Sequence, residues 1–190
     1  MKNVIILGAS GNIAGHVIDI LAKKDDINLT LFLRNKSRLR NNDVSGFRII
    51  EGDVLDYIKL KEAIKGQDIV YANLSGELES MAKNIVKAMH ETNVNKLIFI
   101  SSIGIYDLPL RTVLVPYRKA ADVIEASDLE YTILRPTWFT NNDEVDYEIT
   151  RKGEPEKGSM ISQISLATFI TKIIETPERY NRENLGINKP

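Results

Sequence analysis

The chain has 190 residues, 25 of them basic and 26 acidic, with a net charge of −1 and no cysteine. That length suits one domain with a full core and leaves no room for a separate catalytic domain of ordinary size. The near-neutral balance gives no electrostatic case for nucleic acid or an anionic membrane, and the lack of cysteine excludes disulfides, thiolate metal sites and a cysteine nucleophile. The apolar stretch after Met1-Lys2-Asn3 is too short for a signal peptide, and no long apolar run follows. The chain is therefore expected to be cytoplasmic, without a membrane partner.

Short β-branched runs alternate with helical patterns along the whole chain. Asn3–Leu7 reads as a strand, and Asn12–Lys24 as a helix with its apolar stripe on Ile13, Val17, Ile18, Ile20 and Leu21. Strands follow at Asn28–Leu33 and Phe47–Glu51, then a helix at Asp56–Lys65 with Asp56 as its N-cap. The strand Ile69–Asn73 leads to the helix Leu78–Thr92, the strand Lys96–Ile100 to the helix Tyr117–Ala126, and the strand Tyr131–Leu134 to a last helix, Ser165–Glu175, capped by Ser165. Residues 139–164 are the least regular stretch. Strands that are apolar throughout, alternating with helices, predict a parallel sheet covered on both faces and joined by right-handed crossovers. The expected fold is a single α/β domain of Rossmann type, doubly wound with strand order 3-2-1-4-5-6. Its ligand would lie at the C-terminal strand edges, near the switch point between the first and fourth strands.

The first turn carries the sharpest signal, Gly8-Ala9-Ser10-Gly11-Asn12-Ile13-Ala14-Gly15. A strand that ends on glycine and opens a helix leaves backbone N–H groups at the positive end of the helix dipole, an anion site suited to a dinucleotide pyrophosphate. Gly8 would permit the tight turn, Gly11 the close approach of backbone to phosphate, and Ala14 or Gly15 close helix–strand packing. Ser10, Asn12 and the Ile13 backbone would add donors. After the second strand stands Arg34, where an NAD-selective site commonly has an acid. Guanidinium suits the 2′-phosphate of NADP(H), so NADP(H) is expected over NAD(H). Lys36, Arg38 and Arg40 follow, the last two reading as solvated. After the third strand, Asp53 and Val54 would meet an adenine ring, although Asp53 reads equally as a turn aspartate. Asn73, Leu74 and Ser75 would run along the ribose and nicotinamide side. His16 and His90 have no partners at metal-ligand spacing, so no metal site is expected.

Together, the glycine turn, Gly52-Asp53-Val54-Leu55-Asp56, Phe99-Ile100-Ser101-Ser102-Ile103-Gly104-Ile105-Tyr106 and Tyr131-Thr132-Ile133-Leu134-Arg135-Pro136 resemble the atypical short-chain dehydrogenase/reductase group. More narrowly they are similar to NmrA-like and NAD(P)H-binding proteins, which include flavin reductase and biliverdin reductase B types. The resemblance runs from Met1 to about Thr140. It implies an NAD(P)-binding Rossmann domain with a small substrate-side segment over about 136–190. In catalytic members a serine after the fifth strand works with a Tyr-x-x-x-Lys pair on the next helix. Ser102 matches the serine, and Ser101 beside it would face the cofactor. A register set on Ala120-Ala121-Asp122 puts Arg118 at the lysine position and Leu114 at the tyrosine position, so the pair is absent. Arg118 would then act as a fixed cation near the ribose or nicotinamide, Tyr106 would be a substitute acid, and Tyr117 would serve packing. Pro136 and Thr137 would meet the carboxamide. Trp138 and Phe139 would form a stacking wall, or else seal the core beneath the last helix. Hydride transfer to a flavin or quinone needs stacking and distance more than a proton donor. The expected function is an NADPH-dependent oxidoreductase acting on a small planar electron acceptor. The alternative is a non-catalytic redox sensor that binds NADP and regulates a partner protein. A monomer or small homo-oligomer is expected.

Overall fold

The computed structural model of the chain describes residues 1–40 and 44–190. Its main sheet contains β1 (Lys2–Leu7), β2 (Ile27–Leu33), β3 (Arg48–Glu51), β4 (Ile69–Ala72), β5 (Lys96–Ile100), β6 (Glu130–Pro136), β8 (Glu148–Arg151) and β10 (Glu183–Asn188). A small second sheet pairs β7 (Trp138–Thr140) with β9 (Met160–Ser162) in parallel. The helices are α1 (Asn12–Leu21), α2 (Tyr57–Ile64), α3 (Leu78–Thr92), α4 (Val115–Glu125) and α5 (Gln163–Glu175). The main sheet runs β3-β2-β1-β4-β5-β6-β10-β8. The expected order 3-2-1-4-5-6 lies intact within it. β10 extends it parallel to β6, and β8 closes the edge antiparallel to β10.

The strands are apolar on both faces because both faces are covered. In β1, Val4 and Ile6 join one core, packed beneath α1 and α5, while Ile5 and Leu7 join the other, beneath α2, α3 and α4. β5 divides in the same way, with Ile98 and Ile100 toward α1 and α5, and Leu97 and Phe99 toward the opposite layer. This alternation of side-chain direction gives the sheet two separate interiors and fixes its register. Asp56 caps α2, its carboxylate accepting from the Lys59 N–H at 3.2 Å. α4 begins two residues before the expected Tyr117 because Pro116 is tolerated in a helix's first turn.

The C-terminal third differs from the sequence expectation. Residues 139–164, read as irregular, contain the rest of β7, all of β8 and the start of α5, with β9 between them. Ser162, not Ser165, caps α5: its Oγ accepts from the Ser165 N–H at 3.0 Å. Ser165 is fully buried inside the first turn, its hydroxyl at 2.8 Å from that of Ser162 and donating to the Glu144 carbonyl at 3.0 Å. Among the described residues, no helix is long and apolar enough to cross a membrane.

Lys96, at the start of β5, is only 4% exposed. Its Nζ donates to Asn181 Oδ1 at 2.7 Å, Thr132 Oγ1 at 3.0 Å and the Arg179 carbonyl at 3.5 Å, fastening the turn before β10 to the sheet. Burial outweighs the attraction of Glu130 and Glu178 and draws its pKa from 10.5 down to about 8. Between those values the unfolded chain holds a proton that the folded chain has released, so this group's contribution to stability rises with pH across the window. Urea unfolding measured from pH 8 to 10.5 should show that gain in the native chain and lose it in Lys96→Met. Parallel stability profiles for the two proteins would refute the assignment.

Candidate functional site

The site begins where β1 stops. The Gly8 and Ala9 N–H groups both donate to the Phe32 carbonyl, at 2.9 and 3.2 Å, turning the chain out of the sheet. Gly8 has φ +83°, and a Cβ there would lie 2.1 Å from the Asn73 carbonyl oxygen. A Cβ on Gly11 would lie 2.5 Å from the Asn73 side-chain nitrogen. The turn is therefore pressed against the residue that follows β4; at Gly8, where the contact is with backbone and φ is positive, only glycine fits, whereas at Gly11 the Asn73 side chain would have to move. Gly11 also caps α1 in extended conformation, offers no side-chain acceptor, and is followed by a first turn with no acid. The N–H groups of that turn lack intrahelical partners, and nothing in the first turn neutralises the positive end of the helix.

A cleft of about 160 Å³ opens beside this turn. Its lining brings together Gly8, Ser10, Gly11, Arg34, Asp53, Val54, Asn73, Leu74 and Ser75, all expected at the site, with Phe32, Leu33, Gly52 and Met81. Arg34 is exposed and, among the described residues, has no hydrogen-bond or ion-pair partner. Asp53 lines the cleft, and its carboxylate accepts from the Leu55 N–H at 2.9 Å as a turn residue. Val54 is buried. Ile13 sends its side chain into the core, which leaves its backbone as the available group. Asn12 is exposed and accepts from the Arg40 guanidinium. Arg40, read as solvated, thus reaches the glycine turn.

A second cavity, about 430 Å³, lies at the C-terminal ends of β5 and β6. Ser101, Ser102, Pro136, Thr137, Trp138 and Phe139 meet there with Ile103, Gly104, Asp107, Arg111, Val113, Leu114 and Tyr117. The Ser101 and Thr137 hydroxyls are buried without a hydrogen-bond partner. Such orphaned groups cost about 1–3 kcal/mol each unless a ligand or water satisfies them. Ser102 Oγ donates to the Ile103 carbonyl at 3.2 Å. Trp138 is 72% and Phe139 46% exposed, so these rings do not seal the core. Tyr117, expected to serve packing alone, packs against the core and also lines the cavity.

Tyr106 and Arg118 are not part of either lining. The Tyr106 hydroxyl accepts from Asn184 Nδ2 at 2.7 Å and lies 3.4 Å from both carboxylate oxygens of Glu125. Its ring is flanked by Lys152 at 4.6 Å, Arg118 at 4.8 Å and Arg135 at 5.2 Å. Burial first, and Glu125 second, raise the pKa of this phenol. Arg118 binds Asp122 at 2.9 Å and the Ile105 carbonyl at 3.3 Å. Beneath them, the fully buried Arg135 pairs with Glu156 at 3.0 Å, and Glu156 also accepts from the Gly104 N–H at 3.0 Å. Sequence reasoning missed Arg111, Glu125, Glu156 and Asn184 because no motif or period marks them. Among the described residues there is no His, Cys, Asp and Glu group able to hold a metal.

Comparison with known proteins gives a consistent picture. A family model for NAD(P)H-binding proteins matches residues 8–177. The chain is similar to the solved structure of a Rossmann-fold NAD(P)-binding family protein from Shigella flexneri, with 50% identity and a TM-score of 0.93 over 100% of this chain and 94% of that one. It is also similar to a short-chain dehydrogenase/reductase from Veillonella parvula solved in complex with NADP, with 30% identity and a TM-score of 0.89 over 100% and 95% of the two chains. Among curated proteins, an isoflavone reductase homolog A622-like protein from Nicotiana tabacum is 24% identical over 95% of this chain. The chain spans 66% of that relative's length.

The clamp on the first turn is open to direct test. Gly8→Ala adds a Cβ at positive φ, worth about 1–2 kcal/mol in strain, and drives it into a backbone carbonyl that cannot rotate away. The variant should unfold at distinctly lower urea than the native chain, and an unchanged midpoint would disprove the clamp.

Proposed function

The chain belongs to the NAD(P)H-binding family, and on that premise we propose that it is an NADPH-dependent oxidoreductase passing hydride to a small planar acceptor such as a flavin or quinone. The observation that carries this reading is the pairing of two sites along one sheet edge. A glycine-walled cleft follows β1 to β4, and a cavity with an exposed aromatic wall follows β5 and β6. The residues present fit a dinucleotide. The uncapped start of α1 would take the pyrophosphate, the cleft beside Asp53 and Val54 the adenosine end, and the orphaned Ser101 and Thr137 hydroxyls a polar group such as the carboxamide. When bound and reduced, that cofactor would supply a hydride, and the one proton that completes the acceptor's reduction would come from solvent.

Arg34 supports NADP(H) over NAD(H). A carboxylate at this position would repel a 2′-phosphate, whereas an unpaired guanidinium can donate two parallel hydrogen bonds to it. The choice of acceptor follows from what the cavity lacks. Tyr106 is held by Asn184 and Glu125, Leu114 is an apolar side chain, and Arg118 is engaged by Asp122. None of these three side chains is therefore free to protonate an alkoxide. A conjugated ring disperses the incoming charge itself, so Trp138 and Phe139 need only stack the acceptor against the cofactor, with Ser102 available to a carbonyl.

The engagement of Tyr106 and Arg118 also favours a second reading, a redox sensor that holds NADP and regulates a partner protein. Partner capture that depends on the cofactor's redox state, without turnover, would support the sensor, and indifference to redox state would remove it. For the oxidoreductase, steady-state oxidation of NADPH is measured with FMN, riboflavin and small quinones. Turnover with at least one acceptor is expected; tight cofactor binding with no turnover on any would overturn the reading. For the cofactor choice, Arg34→Ala should weaken NADPH binding by about 1.5–3 kcal/mol, the range for hydrogen bonds to a charged group. NADH binding should barely change, and equal losses for the two cofactors would refute the role of Arg34.

A further inference from the structure

Of the three basic residues within 111–119, Arg111 lines the acceptor cavity, and the other two, both on α4, are already occupied. Arg118 binds Asp122, and Lys119 pairs with Glu79 at 3.1 Å. Arg111 lines the cavity and is exposed, and its side chain has no hydrogen-bond or ion-pair partner among the described residues. Asp107 is the one acid in the same lining, and among the described residues no ion pair joins it to Arg111. Beside the Ser101, Ser102 and Thr137 hydroxyls, much of the wall is apolar or aromatic, with Trp138 72% and Val113 64% exposed. A free guanidinium beside an aromatic wall is suited to a planar molecule with a negatively charged substituent. A neutral quinone would leave that donor set unused.

We propose that the acceptor of this protein carries an anionic group, a carboxylate or a phosphate, and that Arg111 is the residue that selects it. This rests on the reading of the second cavity as the acceptor site. The aromatic wall receives the ring and Arg111 the charge, so the anion contributes to binding and to orientation without taking part in hydride transfer. Asp107, carrying the opposite sign on the same lining, disfavours a second negative group.

The test uses the full chain saturated with NADP⁺, so that the glycine cleft cannot hold a phosphate. Two matched pairs are titrated: FMN against riboflavin, and a naphthoquinone carboxylate against naphthoquinone. Binding is followed by quenching of Trp138, the chain's one tryptophan. The anionic member of at least one pair should bind about tenfold or more tightly, as expected for hydrogen bonds to a charged group. Added salt should narrow the gap. The pair with the larger gap distinguishes phosphate from carboxylate. Arg111→Ala should remove the gap and leave the neutral member's affinity unchanged, while Arg111→Lys should keep part of it. Equal affinities within both pairs, equal weakening of both members by Arg111→Ala, or no quenching by any compound would each overturn the proposal. NADPH oxidation measured in parallel separates the two readings. Anion-selective binding without NADPH consumption leaves the role of Arg111 standing and defeats the oxidoreductase. Consumption without anion preference does the reverse.

Discussion

The contact between the glycine turn and Asn73 is the constraint on which the other features of the site depend. β1 and β4 are neighbours in the sheet, yet the connections leaving them depart to opposite faces, toward α1 and α3. Where they part, the chain after β1 must pass within van der Waals reach of the chain after β4. Gly8 makes that passage possible, since a methyl group there would overlap the Asn73 carbonyl, and Gly11 leaves room for the Asn73 side chain. The same passage sets where α1 begins and leaves its first-turn N–H groups at the sheet edge. A cleft at this point is a product of topology, and the glycines keep it narrow.

The far side of the sheet edge is governed by charge. Arg135 lies on a central strand with 1% exposure, and its guanidinium is compensated by Glu156, by Asn184 at 3.3 Å and by the Tyr106 ring. A buried cation requires such partners, because desolvation without them costs several kcal/mol. Satisfying Arg135 draws in Glu156 from the β8–β9 loop and Asn184 from β10. Tyr106 and Glu125 are then recruited by Asn184, and Lys152 by Glu125 at 2.7 Å. The functional consequence is subtraction. The Tyr106 phenol is committed to holding the edge of the fold together.

The readable parts of the sequence were those with period or punctuation. Uniformly apolar runs such as Ile69–Ala72 can only be central strands in an alternating chain, and Asp56 ahead of an apolar stripe can hardly be other than a cap. β10 was invisible because Glu-Asn-Leu-Gly-Ile-Asn carries a glycine and three polar residues, the reverse of strand propensity. Gly186 is there because Thr150 Oγ1 would sit 2.5 Å from a Cβ, a tertiary fact with no local signature. The cap of α5 was misread because two serines stand three apart and each can cap a helix; burial of Ser165 decides between them. In the site, the glycine turn and the residues after β2, β3 and β4 were legible because strand ends are places a sequence can mark. Arg111 and Glu156 were not, since their importance lies in what their neighbours leave unpaired.

The pairing of Arg135 with Glu156 also bears on how this protein can diverge. The β8–β9 loop that carries Glu156 borders the second cavity through Gly104, and the Ser159 carbonyl accepts from the Trp138 N–H at 3.2 Å. It resembles the kind of surface segment that evolution or an engineer would exchange to alter what the cavity binds. Yet any replacement without an acid at the right point strands a positive charge within the sheet. Loop and strand are therefore inherited as a unit: a recombinant that takes the loop from a relative must take its partner at position 135 as well.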